Sequence, residues 1–134
     1  GMDAAELVKP GHLNSGLTRW EMHRVWVVEA TLRPGQRHVH AKRRFYLDED
    51  SWYALMVENY DARGELWHVN LAFTKNAYEV PVIAPVNIVY HDLIARSYTV
   101  IGLRNNEKAP RQYHLSPPPA SYFTPASLRR KGTQ

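Results

Sequence analysis

The chain of 134 residues has no cysteine, which excludes disulfides, thiolate metal sites and thiol nucleophiles. No apolar run approaches the roughly 18 residues of a membrane-spanning helix. No basic stretch followed by an apolar one opens the chain, and Gly1 ahead of Met2 reads as the remnant of a cleaved tag. The start therefore carries no information about localisation. A nucleophile elbow, a phosphate loop and a paired-carboxylate motif are all missing, so the expectation is that the protein is not an enzyme. The net charge is +4, yet apart from Lys42-Arg43-Arg44 and Arg129-Arg130-Lys131 the basic residues are scattered. Without a helix-turn-helix, a zinc finger or an RNA-binding strand signature, no nucleic-acid partner is expected. What remains is globular: 44% hydrophobic and 22% charged, enough for one core in a chain of this size.

The richest segment runs from Trp20 to Trp52, two alternating strands joined by Arg33-Pro34-Gly35-Gln36. Pro second and Gly third is type II turn chemistry, because Pro presets φ and Gly accepts a positive one. A turn closing the hairpin there places Leu32 opposite Arg37. By counting, Met22, Arg24, Trp26, Val28 and Ala30 then share one face with Val39, Ala41, Arg43, Phe45 and Leu47. The opposite face takes Glu21, His23, Val25, Val27, Glu29 and Thr31 with His38, His40, Lys42, Arg44 and Tyr46. This is the apolar-in, polar-out alternation of an antiparallel sheet.

Further hairpins are predicted. Tyr53 to Asp61 and Glu65 to Thr74 join through Ala62-Arg63-Gly64, with Gly at a left-handed position. Asp61 then pairs with Glu65, Leu55 with Leu71, Val57 with Val69 and Glu58 with His68. The tight acidic link Asp48-Glu49-Asp50-Ser51 aligns Leu47 with Tyr53 and Phe45 with Leu55. Residues 76–86 carry Pro81 and Pro85 and read as an edge segment or crossing loop. Asn87 to His91 and Arg96 to Leu103 form a last hairpin around Asp92-Leu93-Ile94-Ala95. Arg104 to Pro119 is a polar connector. Thr124-Pro125-Ala126-Ser127-Leu128-Arg129-Arg130 is a short helix with an N-cap Thr, Pro in the first turn and arginines in the last. The expected class is mainly β: a curved, unclosed antiparallel sheet with little helix. Residues 1–17 form an extended lead-in, and 18–134 a single domain.

Two features bear on chemistry. His38-Val39-His40 has the i, i+2 spacing of two ligands to one metal on a strand face. Lys42-Arg43-Arg44 follows where an acidic ligand is needed, so no metal and no cofactor are expected; the histidines read as surface residues, His40 opposite Glu29. Arg24 and Arg43 lie on the otherwise apolar face, Arg24 facing Phe45 and Arg43 facing Trp26. Either they stack on those rings, each contact worth roughly 0.5–2 kcal/mol, or they hold the carboxylate, phosphate or sulfate of a greasy ligand. The candidate ligand-binding set is Met22, Arg24, Trp26, Arg43, Phe45 and Leu47.

Several long segments, Arg19-Trp20-Glu21, His23 to Leu32, Ala41 to Trp52 and Tyr60 to Trp67, with the closing Phe123 to Gly132, resemble the C-terminal part of a Gram-negative family. Its members are described as outer-membrane lipoprotein-sorting proteins with a LolA/LolB-like fold. The resemblance covers most of residues 19–132. It implies an unclosed barrel whose apolar face holds an acyl chain or another hydrophobic molecule, in the periplasm or at the outer membrane. It carries no catalytic residues over to this chain. Members are longer, so the chain is expected to supply part of the barrel. A structural module that pairs with a second copy, as a dimer, or with the missing N-terminal part is the alternative.

Overall fold

The computed structural model describes residues 3–108, 113 and 115–132. Gly1, Met2 and part of the expected connector (109–112 and 114) lie outside the described residues. One open sheet of six antiparallel strands dominates, in simple chain order. Its strands are β3 (Val25–Thr31), β4 (Lys42–Asp48), β5 (Ala54–Tyr60), β6 (Leu66–Ala77), β7 (Val82–Asp92) and β8 (Ser97–Ile101). β3 and β8 are its two edges, so the sheet does not close. The mainly β, unclosed class read from the residues is what the chain adopts.

Ahead of the sheet, the expected extended lead-in is folded. It holds helix α1 (Ala4–Leu7), a small hairpin of β1 (Val8–Lys9) and β2 (His12–Leu13), and a 3-10 turn at Ser15–Leu17. Asp3 caps α1 by accepting from the Ala5 amide. Leu7 and Leu13 bury themselves against Val89, with Leu71, Phe73, Tyr98, Val100 and Leu103 around them. The lead-in thereby covers the apolar row that β6–β8 present on one face, where the Trp20 ring also sets its edge against Phe73.

Helix α2 (Pro125–Lys131) forms where its caps predict. The Thr124 hydroxyl accepts from the Ser127 amide, and Arg129, Arg130 and Lys131 fill the last turn. Pro85 sits inside β7 opposite Thr74, and the ladder between β7 and β8 begins at Ile88. The β8 ladder therefore does not call on the N–H that Pro85 lacks. Gly102, just past β8, has φ +83, and its Cα lies so near Val86 that a Cβ would come within 2.7 Å of the Val86 carbonyl oxygen.

The turns form as predicted, but the registers do not follow from them. The Arg33–Gln36 turn closes with a Gln36 amide to Arg33 carbonyl bond of 3.1 Å, and Gly35 takes φ +81. The ladder, however, begins only at Thr31↔Lys42, and the pairs are Trp26↔Leu47, Val28↔Phe45, Glu29↔Arg44 and Ala30↔Arg43. The slip is even, so the division into faces survives while every predicted partner changes. The physical reason is the partners gained: apolar against apolar at Trp26 and Val28, and opposite charges at Glu29 and Arg44. Arg43 therefore does not face Trp26, and Arg24, which precedes β3, does not face Phe45. Glu29 does not face His40.

A similar correction holds for the second hairpin. The Asp61 amide does bond the Glu65 carbonyl at 3.0 Å, and Gly64 has φ +84. Past Tyr60↔Leu66 the register shifts, so that Asn59 faces His68 and Glu58 faces Val69. Trp67 is the extra residue of this bulge, and one extra residue turns the rest of β6 over. Leu71 consequently pairs with Met56 rather than Leu55, Val57 faces Asn70 rather than Val69, and the Glu58–His68 pair does not form. On the β4 side, Phe45 faces Val57 and Leu47 faces Ala54, replacing the expected Leu55 and Tyr53.

Candidate functional site

Following cross-strand partners across the sheet resolves the face opposite the lead-in into rows. One row is Trp26 and Leu47 toward one end, with Ala72, Ile88 and Ile101 on the later strands. The next is Val28, Phe45, Val57, Asn70, Tyr90 and Thr99. The third is Ala30, Arg43, Asn59, His68, Asp92 and Ser97. Two mainly apolar rows thus run up to a row that is polar across four central strands. The apolar part remains open: Trp26 is 52% and Val28 45% exposed.

The polar row is wired together by the loop between β3 and β4. Because the ladder starts at Thr31 and Lys42, His38 and His40 fall at the end of the sheet, beside Arg43, and not on a strand facing Glu29. One Arg43 guanidinium nitrogen, Nη2, lies 3.3 Å from His38 Nε2 and 3.3 Å from His40 Nδ1. His40 Nε2 lies 2.8 Å from His68 Nδ1, and His68 Nε2 lies 3.4 Å from Asp92 Oδ2. The Trp67 indole donates to Asp92 Oδ1 at 3.1 Å and stacks on the His68 ring at 4.3 Å between centroids. Buried Asn59 sits between Arg43 and His68 and donates to the His68 carbonyl.

Electrostatics follow from this packing. Burial, then the positive Arg43 guanidinium and the neighbouring His68 and His38, hold His40 below its ordinary value of 6.5. Asp92 is held below the ordinary carboxylate range, first by the Ala95 amide, then by the Trp67 indole and His68 against the cost of burial. Among the described residues no carboxylate lies within ion-pair distance of Arg43, whereas Arg44 reaches both Glu29 and Glu58 at 3.6 Å. Also among the described residues, no group of three or more His, Asp or Glu side chains is arranged to hold a metal.

Of the six residues singled out from the sequence, Trp26, Arg43, Phe45 and Leu47 share this face. Met22 is fully exposed ahead of β3. Arg24 binds Glu49 at 3.5 Å at the opposite end of β4 from Arg43, so the two arginines are not neighbours. The rim also takes in Asn59 and Asp92, which the residue pattern does not mark, and His68, which the pattern pairs with Glu58 instead. Their spacing in sequence holds no shared period, since three different strands and one bulge bring them together.

The other face is split. Over β6–β8 it carries the core and, between the sheet and the lead-in, a half-open cavity of about 320 Å³ walled by Leu13, Trp20, Leu71, Phe73 and Val89 with His12 and His91. Over β3–β5 it is charged. Glu58 accepts from the Tyr46 and Tyr60 hydroxyls at 3.0 and 2.7 Å, and the Lys42 ammonium lies 4.3 Å over the Tyr60 ring.

The molecule is thus an open β-meander domain with one apolar face bounded by a basic and imidazole-rich rim. It belongs to the family described as "Protein of unknown function (DUF1329)", whose model matches residues 1–129, in agreement with the resemblance stated from the residues. The chain is 44% identical over 130 residues to the uncharacterized protein PA3922 of Pseudomonas aeruginosa, covering 97% of this chain and 28% of that protein. It spans little more than a quarter of the length of that curated relative. Among solved structures it is similar to a DUF1329 family protein from Desulfovibrio piger, at 14% identity and a TM-score of 0.49, over 78% of this chain and 40% of that one. It is also similar to a domain named for outer membrane lipoprotein sorting from Vibrio parahaemolyticus, at 19% identity and a TM-score of 0.45, over 57% of this chain and 32% of that one. Among the described residues no helix is long and apolar enough to cross a membrane.

Proposed function

We propose that this chain supplies a non-enzymatic binding wall for a hydrophobic ligand with an anionic head, an acyl or lipid-like molecule. The cell envelope is the setting that the sequence resemblance implies. The observation that carries this reading is the sorting of the open face into apolar rows that end at Arg43. An alkyl chain lying along Trp26, Leu47, Phe45 and Val28 gains about 0.8 kcal/mol per buried methylene. Its head then reaches a rim that supplies charge and hydrogen-bond donors, the equipment of recognition. Native mass spectrometry of the purified chain, followed by organic extraction, is expected to release a lipid-like molecule, and dodecanoate is expected to quench Trp26 saturably. Clean spectra together with no saturable quenching end this reading.

A second reading rests on the free edge of β3 beside exposed Trp26 and Val28, and on the chain spanning 28% of its Pseudomonas relative. Here the face is covered by a second copy of the chain or by the rest of a longer protein. Small-angle scattering tests self-association; a monomer at micromolar concentration eliminates the second copy.

A further inference from the structure

We infer that Arg43 and His38 form a two-donor oxyanion site at the rim, the residue pair that takes the head of the proposed ligand. The proton inventory of the rim leads there. The His40 amide donates to His38 Nδ1 at 3.0 Å, so that nitrogen carries a lone pair. A neutral imidazole has one N–H and one lone pair, and the proton of His38 is therefore on Nε2. Yet Nε2 is the atom that lies 3.3 Å from Arg43 Nη2, and a guanidinium nitrogen can only donate. Two donors face each other there, and no hydrogen bond can join them.

The other contacts of the rim do not relieve this. Arg43 Nη2 has two hydrogens, and one is satisfied by His40 Nδ1 at 3.3 Å. With Nδ1 accepting, His40 Nε2 carries the proton and donates to His68 Nδ1. The remaining His68 proton is then on Nε2, which lies 3.4 Å from Asp92 Oδ2. The chain from Arg43 to Asp92 is consistent in direction and closed at both ends. The second Nη2 hydrogen and the His38 Nε2 hydrogen are the pair left over, on a guanidinium without a carboxylate partner among the described residues.

One oxygen satisfies both. With the two nitrogens 3.3 Å apart, an anionic oxygen fits at about 2.8 Å from each, the usual length of a charge-assisted bond. The ligand class is a carboxylate or phosphate monoester. Because the His40–His68–Asp92 chain anchors the loop, the two donors are held in place before the anion arrives, which lowers the ordering cost of binding. This inference deepens the reading above by naming the head-group site, but the donor pair exists whether or not an alkyl chain lies on the face.

Ring ¹⁵N shifts read from long-range proton–nitrogen spectra at neutral pH are expected to show His38 protonated on Nε2. Titration with butyrate and with inorganic phosphate, which carry no long chain, is expected to shift His38 Nε2 and Arg43 Nε saturably. Arg43→Gln should weaken that binding about tenfold or more, as loss of a charge-assisted bond requires, and His38→Ala should do likewise with an unchanged unfolding midpoint. A proton on His38 Nδ1, unsaturable shifts with both anions, or unaltered binding by Arg43→Gln overturns the site. Dodecanoate, dodecyl phosphate and 1-dodecanol separate the two levels. If 1-dodecanol binds but neither small anion does, the oxyanion site fails and the apolar wall stands. If phosphate or butyrate binds and no twelve-carbon ligand gains over it, the wall fails and the oxyanion site stands.

Discussion

His40 Nε2 and His68 Nδ1 lie 2.8 Å apart although 28 residues separate them, and this bond ties the β3–β4 loop to the middle of the sheet. Replacing His68 with Phe keeps an aromatic ring against Trp67 but removes both nitrogens. The expected result is a loss of about 1 kcal/mol in urea unfolding, the worth of a net hydrogen bond. Faster amide exchange at residues 37–40 should accompany it, and unchanged exchange there refutes the anchoring role.

His40 also predicts a pH dependence. Its folded-state value is depressed from 6.5, first by burial, so the unfolded chain binds a proton more readily than the folded one. The stability linked to this group is fully present above about 6.5 and is lost as pH falls through the folded value. Unfolding midpoints measured from mildly alkaline to mildly acidic pH should decline across that window, and His40→Gln should flatten the decline.

Asp48 acts at the other end of β4. It is 2% exposed and accepts from the Ser51 hydroxyl and amide and from His23 Nδ1 at 2.9 Å. The Ser51 hydroxyl leads the causes that hold it below the ordinary carboxylate value of 3.8. Its contribution is present above that value and is lost as pH falls through the lowered one. Asp48→Ala strands those donors beside Trp52, whose φ is +58. A loss of about 2–3 kcal/mol is expected from equilibrium unfolding, as for bonds to a charged acceptor.

Gly102→Ala tests the approach of the chain to Val86. A Cβ there meets the Val86 carbonyl oxygen at 2.7 Å with φ +83, so clash and backbone strain add. The substitution should lower stability by about 2 kcal/mol, read as a shift in thermal midpoint. The same change at Gly64, φ +84 with open space around it, should cost less.

Thr124→Ala removes the N-cap of α2, which accepts from the Ser127 amide at 3.3 Å. About 1 kcal/mol of local helix stability should go with it, visible as faster exchange at residues 126–128 while the sheet amides stay protected.

Much of this molecule was determined by residue order alone. Alternation of apolar and polar side chains made β3–β5 strands with two distinct faces, Pro34-Gly35 and Gly64 made turns, and Thr124-Pro125 started α2, because each depends on φ, ψ and side-chain direction within a few residues. The even slip of the first hairpin left its two faces as the alternation sets them. Registers were decided in three dimensions. Trp26 meets Leu47 rather than Arg43, and Trp67 is squeezed out as a bulge that turns Leu71 to the opposite face, because cross-strand partners and burial outweigh the geometry of a turn. The rim was out of reach for the same reason. Arg43 marked the face from its place in an apolar alternation, but His38, His40, His68 and Asp92 come from a loop and two strands whose meeting depends on those registers, and only the folded sheet brings their nitrogen and oxygen atoms within hydrogen-bonding distance.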